Sequence, residues 1–128
     1  MTFMYVELFN YRDAWRNEGP EKRTAFLEWV SAQSSSLPDE KFEVVGFGMN
    51  DPETDKRAPY DFFCVFKFAD QESLDMTFAA IAASDWYRYF DQVNLSGPIR
   101  QPAEMHLIWQ TLGEPNQNQA SGQSGKCS

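Results

Sequence analysis

Among the many side chains of this 128-residue sequence that can carry a proton, two stand out by their setting in apolar segments, Glu7 and His106. Glu7 sits in FMYVELFN, a segment rich enough in aromatic and β-branched residues to read as a strand. Alternation puts Met4, Val6 and Leu8 on one side and Phe3, Tyr5, Glu7 and Phe9 on the other. A carboxylate among aromatic rings must be paired, hydrated or protonated. Partial burial raises its pKa and suits it to general acid or base work, although a structural carboxylate bonded to a buried Tyr, Trp or backbone group has the same pattern. His106 is the one histidine of the chain and falls in EMHLIWQTL, read as the last strand. There His106, Ile108 and Gln110 share a face opposite Met105, Leu107 and Trp109. Aligning the apolar faces of the first and last strands brings His106 beside Tyr5 and Glu7, an imidazole and carboxylate arranged for proton transfer. A one-residue slip in register turns it to the other face and leaves a histidine satisfied within the structure.

Three further residues could orient a substrate. Tyr5 shares the Glu7 face, and Tyr87 and Asn94 lie in WYRYFDQVN, where a phenol and an amide could bind a carbonyl or phenolate oxygen. In that segment, read as a helix, Trp86 and Phe90 are four apart and pack together on the sheet. The acidic loop NDPETDK lacks the central glycine and terminal glutamate of a calcium-binding EF-hand loop and reads as a solvated hairpin. One histidine and two distant cysteines do not make a standard zinc site, and no metal is expected. GxGxxG, GxxxxGKS and GxSxG strings are absent. Haem would need His106 as proximal ligand beside a large apolar slot, so no cofactor is expected.

The elements that must position these residues follow from periodicity. Strands are expected at 3–10, 42–49, 60–68 and 104–112. A helix runs from Glu21 to about Gln33, and a second runs to about Ala83 from an Asp70 N-cap. Ser84 caps a further helical stretch, DWYRYFDQV, and 94–103 is loop. Gly46 and Gly48 share one strand face and leave a bare patch where a ring can approach. The order strand-helix-strand, strand-helix-strand gives an α+β, ferredoxin-like βαββαβ domain over residues 1–112, with an antiparallel four-stranded sheet and both helices on one face. Residues 113–128 form a flexible polar tail without a large apolar side chain. Because Phe62, Cys64, Phe66 and Phe68 fill one face of the third strand and Phe63 and Val65 the other, both faces demand burial. Two sheets packed face to face in a homodimer meet that demand.

Composition narrows the partners. With 19 acidic and 11 basic residues the net charge is -8, the wrong sign for neutralising phosphates, so nucleic acid and anionic membrane surfaces are excluded. No stretch approaches the ~20 apolar residues of a membrane span, and the N-terminus has no basic region of a signal peptide, so the expected location is cytoplasmic. Cys64 reads as a small buried hydrophobe and Cys127 lies in the tail, so no bridge is expected.

The segments YVELFN, GFGMND, YDFFCVFKF and WYRYFDQVN, taken with the element order, resemble a poorly characterised branch of the dimeric α/β-barrel superfamily. That resemblance implies a small-molecule pocket between sheet and helices. It also implies cofactor-independent proton-transfer chemistry of the cyclase, isomerase or monooxygenase type on an apolar, aromatic or polyketide-like molecule. Glu7 and His106 would supply acid and base, with Tyr5, Tyr87 and Asn94 orienting the substrate. The alternative is a non-catalytic small-molecule-binding or interaction domain, in which Glu7 is structural.

Overall fold

A computed structural model describes residues 2–35 and 37–113. Those residues divide into two compact units, split between Pro98 and Ile99. The first holds β1 (Phe3–Tyr11), α1 (Asp13–Arg16), α2 (Pro20–Ser34), a 3-10 turn at Asp39–Lys41, β2 (Phe42–Met49), β3 (Phe62–Phe68), α3 (Gln71–Ala83), α4 (Trp86–Tyr89) and β4 (Phe90–Pro98). The second contains α5 (Pro102–Gln110). The expected polar tail lies, beyond Gly113, outside the described residues, as does Cys127.

The four strands form one antiparallel sheet in the order β2-β3-β1-β4, the ferredoxin-like arrangement that was expected. Local chemistry places most of its parts. Pro20 occupies the first turn of α2, where its missing N–H would have no helical partner anyway. Asp70 caps α3 by accepting from the Ser73 N–H at 2.8 Å, and Lys41 Nζ donates to its other oxygen at 2.7 Å.

One face of the sheet carries the core. Phe9, Cys64, Phe90, Trp15 and Tyr89 form one buried cluster, and Tyr5, Phe68 and Leu74 form another. Phe26 of α2 joins the first and Phe78 of α3 the second, so the helices cover the face bearing Tyr5, Glu7 and Phe9.

Strand β2 contains an irregularity that periodicity alone does not show. Val44 pairs with Phe66 but Gly46 pairs with Val65, which leaves Val45 as an extra residue. This bulge reverses the alternation. Phe42 and Val44 before it and Phe47 after it therefore all face the helices. Gly46 and Gly48 are turned to the opposite face, where the Phe63 ring lies over the bare Gly48 backbone and leaves no room for a Cβ.

Two expectations for the C-terminal third are corrected. Helical structure after Ser84 stops at Tyr89, and Phe90–Pro98, expected as helix and loop, is the fourth strand. Its nine residues pair in register with all of β1, from Phe90 opposite Tyr11 to Pro98 opposite Phe3. Two-residue alternation of Phe90, Gln92 and Asn94 against Asp91, Val93 and Leu95 suits that edge, and strand pairing outweighs the helical spacing of the aromatics. The stretch expected as a last strand at 104–112 is instead α5. Pro102 stands in its first turn, and Glu104 accepts from the Gln101 N–H at 2.7 Å, a reciprocal capping arrangement that marks a helix start.

Candidate functional site

The helix-covered face holds a half-open cavity of about 650 Å³ in the first unit, with Trp29, Phe47 and Met76 exposed at its rim, within the range of small-molecule sites. Its floor is Glu7 of β1, Cys64, Phe66 and Phe68 of β3, and Phe42, Val44 and Phe47 of β2. Its other wall is Trp29 and Val30 of α2, Met76, Ala80 and Ile81 of α3, and Trp86 of α4. The β2 bulge is what allows Phe42, Val44 and Phe47 to line it together. Polar side chains on the helical wall are largely occupied with their own backbone. Ser34, Thr77 and Ser84 each donate to a carbonyl of the preceding turn, at 3.2, 3.1 and 2.7 Å. Among the described lining residues, Glu7 is the single carboxylate, set in a mostly apolar lining with Ser31, Gln33, Ser34, Thr77 and Ser84 as its neutral polar members.

Glu7 is only 5% exposed. Burial in this surrounding pushes its carboxyl up to about 7, against the opposing pull of hydrogen bonds from Tyr5 and Gln92. Gln92 Nε2 donates to Glu7 Oε2 at 3.1 Å. The same nitrogen lies 3.3 Å from the Tyr5 hydroxyl and 2.7 Å from Asn94 Oδ1. Gln92 Oε1 accepts from the Trp86 indole N–H at 2.7 Å. Cys64, paired directly across from Glu7, is pushed up to about 12, first by burial and then by the nearby carboxylate, so it stays a thiol at neutral pH. Tyr5 is raised as well, mainly by burial and then by Glu7.

The residues expected to act together divide as follows. Glu7 lines the cavity. Tyr5 is fully buried in the core and touches the site through its hydroxyl. Asn94 is the cross-strand partner of Glu7 on β4, exposed, and reaches the carboxylate through Gln92. Tyr87 on α4 is 39% exposed, and its phenol is raised by burial and then by the Glu7 charge. His106 is an exposed residue of α5 with its ring 5.7 Å from that of Trp109. Being on a helix, it shares no sheet face with Glu7, and the expected cross-strand pair does not form.

Sequence reading missed Gln92 and gave Trp86 a packing role alone. Trp86 does pack, with its ring centroid 4.4 Å from that of Phe90, but its N–H also enters the Glu7 network. The available signal was the two-residue spacing of Gln92 and Asn94, visible only if the segment is read as a strand.

The sequence profile of a family of unknown function (DUF6616) matches residues 2–110. No curated protein matches the chain. Among solved structures, a mutant chlorite dismutase from Candidatus Nitrospira defluvii superposes with a TM-score of 0.62 at 15% identity over 88% of this chain. The match spans about half, 49%, of the dismutase chain. A dimeric ferredoxin-like protein of unknown function from Thermobifida fusca YX superposes with a TM-score of 0.50 at 18% identity, covering 77% of this chain and 92% of that one. At these identities the likeness establishes the fold alone, which is ferredoxin-like.

Proposed function

This chain belongs to DUF6616, a family of unknown function, and we propose from the cavity itself that it performs cofactor-independent proton transfer on an apolar, ring-containing small molecule. The observation that carries this reading is a lone buried carboxyl, pushed up to about 7, at the floor of a half-open and mostly apolar cavity of ligand size. A general base works best when its pKa lies near the operating pH. The wall hydroxyls of Ser34, Thr77 and Ser84 donate to their own helices, which leaves Glu7 as the one ionisable acid-base group of the lining in reach of neutral pH. The substrate class that fits is a flat apolar skeleton carrying one carbonyl, enol or phenol oxygen. Ionised Glu7 takes a proton from carbon α to the carbonyl. The C–H bond breaks, its electron pair moves to the carbonyl oxygen as an enolate, and the carboxylic acid formed returns the proton at carbon or oxygen.

The test is exchange of the α-protons of 2-tetralone in D2O, followed by proton NMR. The protein should accelerate exchange above the buffer rate, and Glu7→Gln should return it to that rate. Binding of 2-tetralone with exchange at the buffer rate would instead favour a ligand-binding domain without catalysis.

A homodimer completes the reading. The face of the sheet opposite the cavity bears Met4, Val6, Leu8, Phe63 and Val65, all half-buried, together with the exposed Val93 and Leu95. Contiguous apolar surface of this kind marks an interface. The Thermobifida fusca protein, which shares the fold, is dimeric. Sedimentation at micromolar concentration should give about 30 kDa, twice the 14.8 kDa chain. A single species at the chain mass would contradict it.

A further inference from the structure

The polar side of the cavity is organised around one amide. The Trp86 indole N–H is a donor and nothing else, so the atom it meets at 2.7 Å must be the Gln92 oxygen. That contact fixes which way the amide faces. Its nitrogen is thereby presented to three oxygens, those of Tyr5, Glu7 and Asn94, at 3.3, 3.1 and 2.7 Å. An amide nitrogen has two hydrogens for these three acceptors. The Tyr5 hydroxyl relieves the shortage, because it hydrogen-bonds Glu7 itself and has no need of an amide proton. Both Gln92 hydrogens are then committed, one to Glu7 Oε2 and one to Asn94 Oδ1. Trp86 is also a wall of the cavity, so the residue that orients the amide meets the ligand as well.

We infer that Gln92, oriented by Trp86, is a positioning residue that holds the Glu7 carboxyl in a single orientation at the cavity wall. This rests on the reading of Glu7 as the proton-transferring group. The titratable side chains facing Glu7 are Tyr5 from its own strand, Cys64 from β3 and Tyr87 from α4. All three stay neutral at pH 7, so stabilisation of the ionised carboxyl comes from hydrogen bonds rather than from an opposing charge. Loss of the amide donor should therefore make the carboxyl harder to ionise. If Trp86 loses its N–H, the amide is free to turn its oxygen toward Glu7, with the same direction of effect.

The experiment follows the Glu7 side-chain carboxyl by 13C NMR across pH in the full chain, the resonance being assigned by its absence in Glu7→Gln. Gln92→Met keeps the length of the side chain and removes the amide. It should move the Glu7 midpoint upward by about one pH unit. Trp86→Phe keeps a ring in the wall and should move the midpoint the same way by a smaller amount. A merely structural role for Gln92 would lower the melting temperature and leave the midpoint in place. An unchanged midpoint in both variants overturns the positioning role while leaving the Glu7 reading intact. A wild-type midpoint near the ordinary 4.5 overturns the Glu7 reading and this inference with it. Should Gln92→Met fail to fold, Trp86→Phe decides alone.

Discussion

Replacing Glu7 by Gln should remove a pH dependence of stability that the wild-type protein carries between about pH 4.5 and 7. Burial raises the Glu7 carboxyl from 4.5 to about 7 in the folded chain. Below 4.5 both folded and unfolded forms hold the proton, and the stability linked to this group is fully present. As pH rises, the unfolded chain releases its proton first, so unfolding becomes progressively easier until the folded carboxyl also ionises near 7. The loss is about 1.4 kcal/mol per pH unit, or roughly 3 kcal/mol across the window. Gln cannot ionise, and its side-chain oxygen can still accept from Gln92, so the variant should show no such fall. Urea unfolding of both proteins at intervals from pH 4 to 8.5 tests this, because subtracting the two curves removes every other titrating group. The variant should match wild type at the acid end and exceed it by a few kcal/mol at pH 8. Parallel curves would mean that Glu7 is hydrated in the folded state and behaves as an ordinary carboxylate.

Phe9→Ala should be the most damaging single change in the sheet. Phe9 is 0% exposed, stacked on Phe62 at 4.6 Å between ring centroids and set edge-on to Trp86 at 5.6 Å and Phe90 at 6.1 Å. Its backbone is locked between β3 and β4, opposite Phe62 on one side and Gln92 on the other. With both neighbours held by strand pairing, the space left by the ring cannot close. Truncation of a buried Phe in such a setting costs about 3–5 kcal/mol. Met49→Ala on β2, at a side chain 68% exposed, is the matched control and should cost under about 1 kcal/mol. Equal losses in the two variants would show that the aromatic cluster does not carry the stability assigned to it.

Much of this architecture is legible in the residues themselves, for identifiable reasons. β1 is a strand because aromatic and β-branched residues alternate from Phe3 to Phe9, and the same alternation puts Glu7 among rings. α3 starts where it does because Asp70 can cap it. What could not be read was anything set by pairing partners. WYRYFDQVN satisfies two periods at once, a helical one through Trp86 and Phe90 and a strand one through Phe90, Gln92 and Asn94. The free edge of β1 decides between them. PAEMHLIWQ looks like a strand by its Leu, Ile and Trp content, although Pro102 and the Gln101 to Glu104 spacing are helix-start signals that outweigh that content. The fate of His106 followed from that choice. Gln92 was invisible for a different reason: its role depends on a cross-strand diagonal to Glu7 and on the direction of an amide, and neither has a signature along the chain. Nor does the bulge at Val45, which brings Phe47 into the cavity.

The central claim joins a cavity to a titrating carboxyl, and one binding measurement tests that junction directly. The neutral fluorescent probe N-phenyl-1-naphthylamine has a flat apolar body of suitable size and no charge of its own between pH 5 and 8.5. Seated in the cavity it would set an apolar body beside the buried Glu7 and exclude water from the cavity around it, which favours the protonated carboxyl further, so by linkage the probe must bind the protonated protein more tightly. Its affinity should be constant below about pH 6, fall as pH rises through 7, and show no such fall in Glu7→Gln. An affinity independent of pH in the wild-type protein, or an identical fall in Glu7→Gln, would contradict the account.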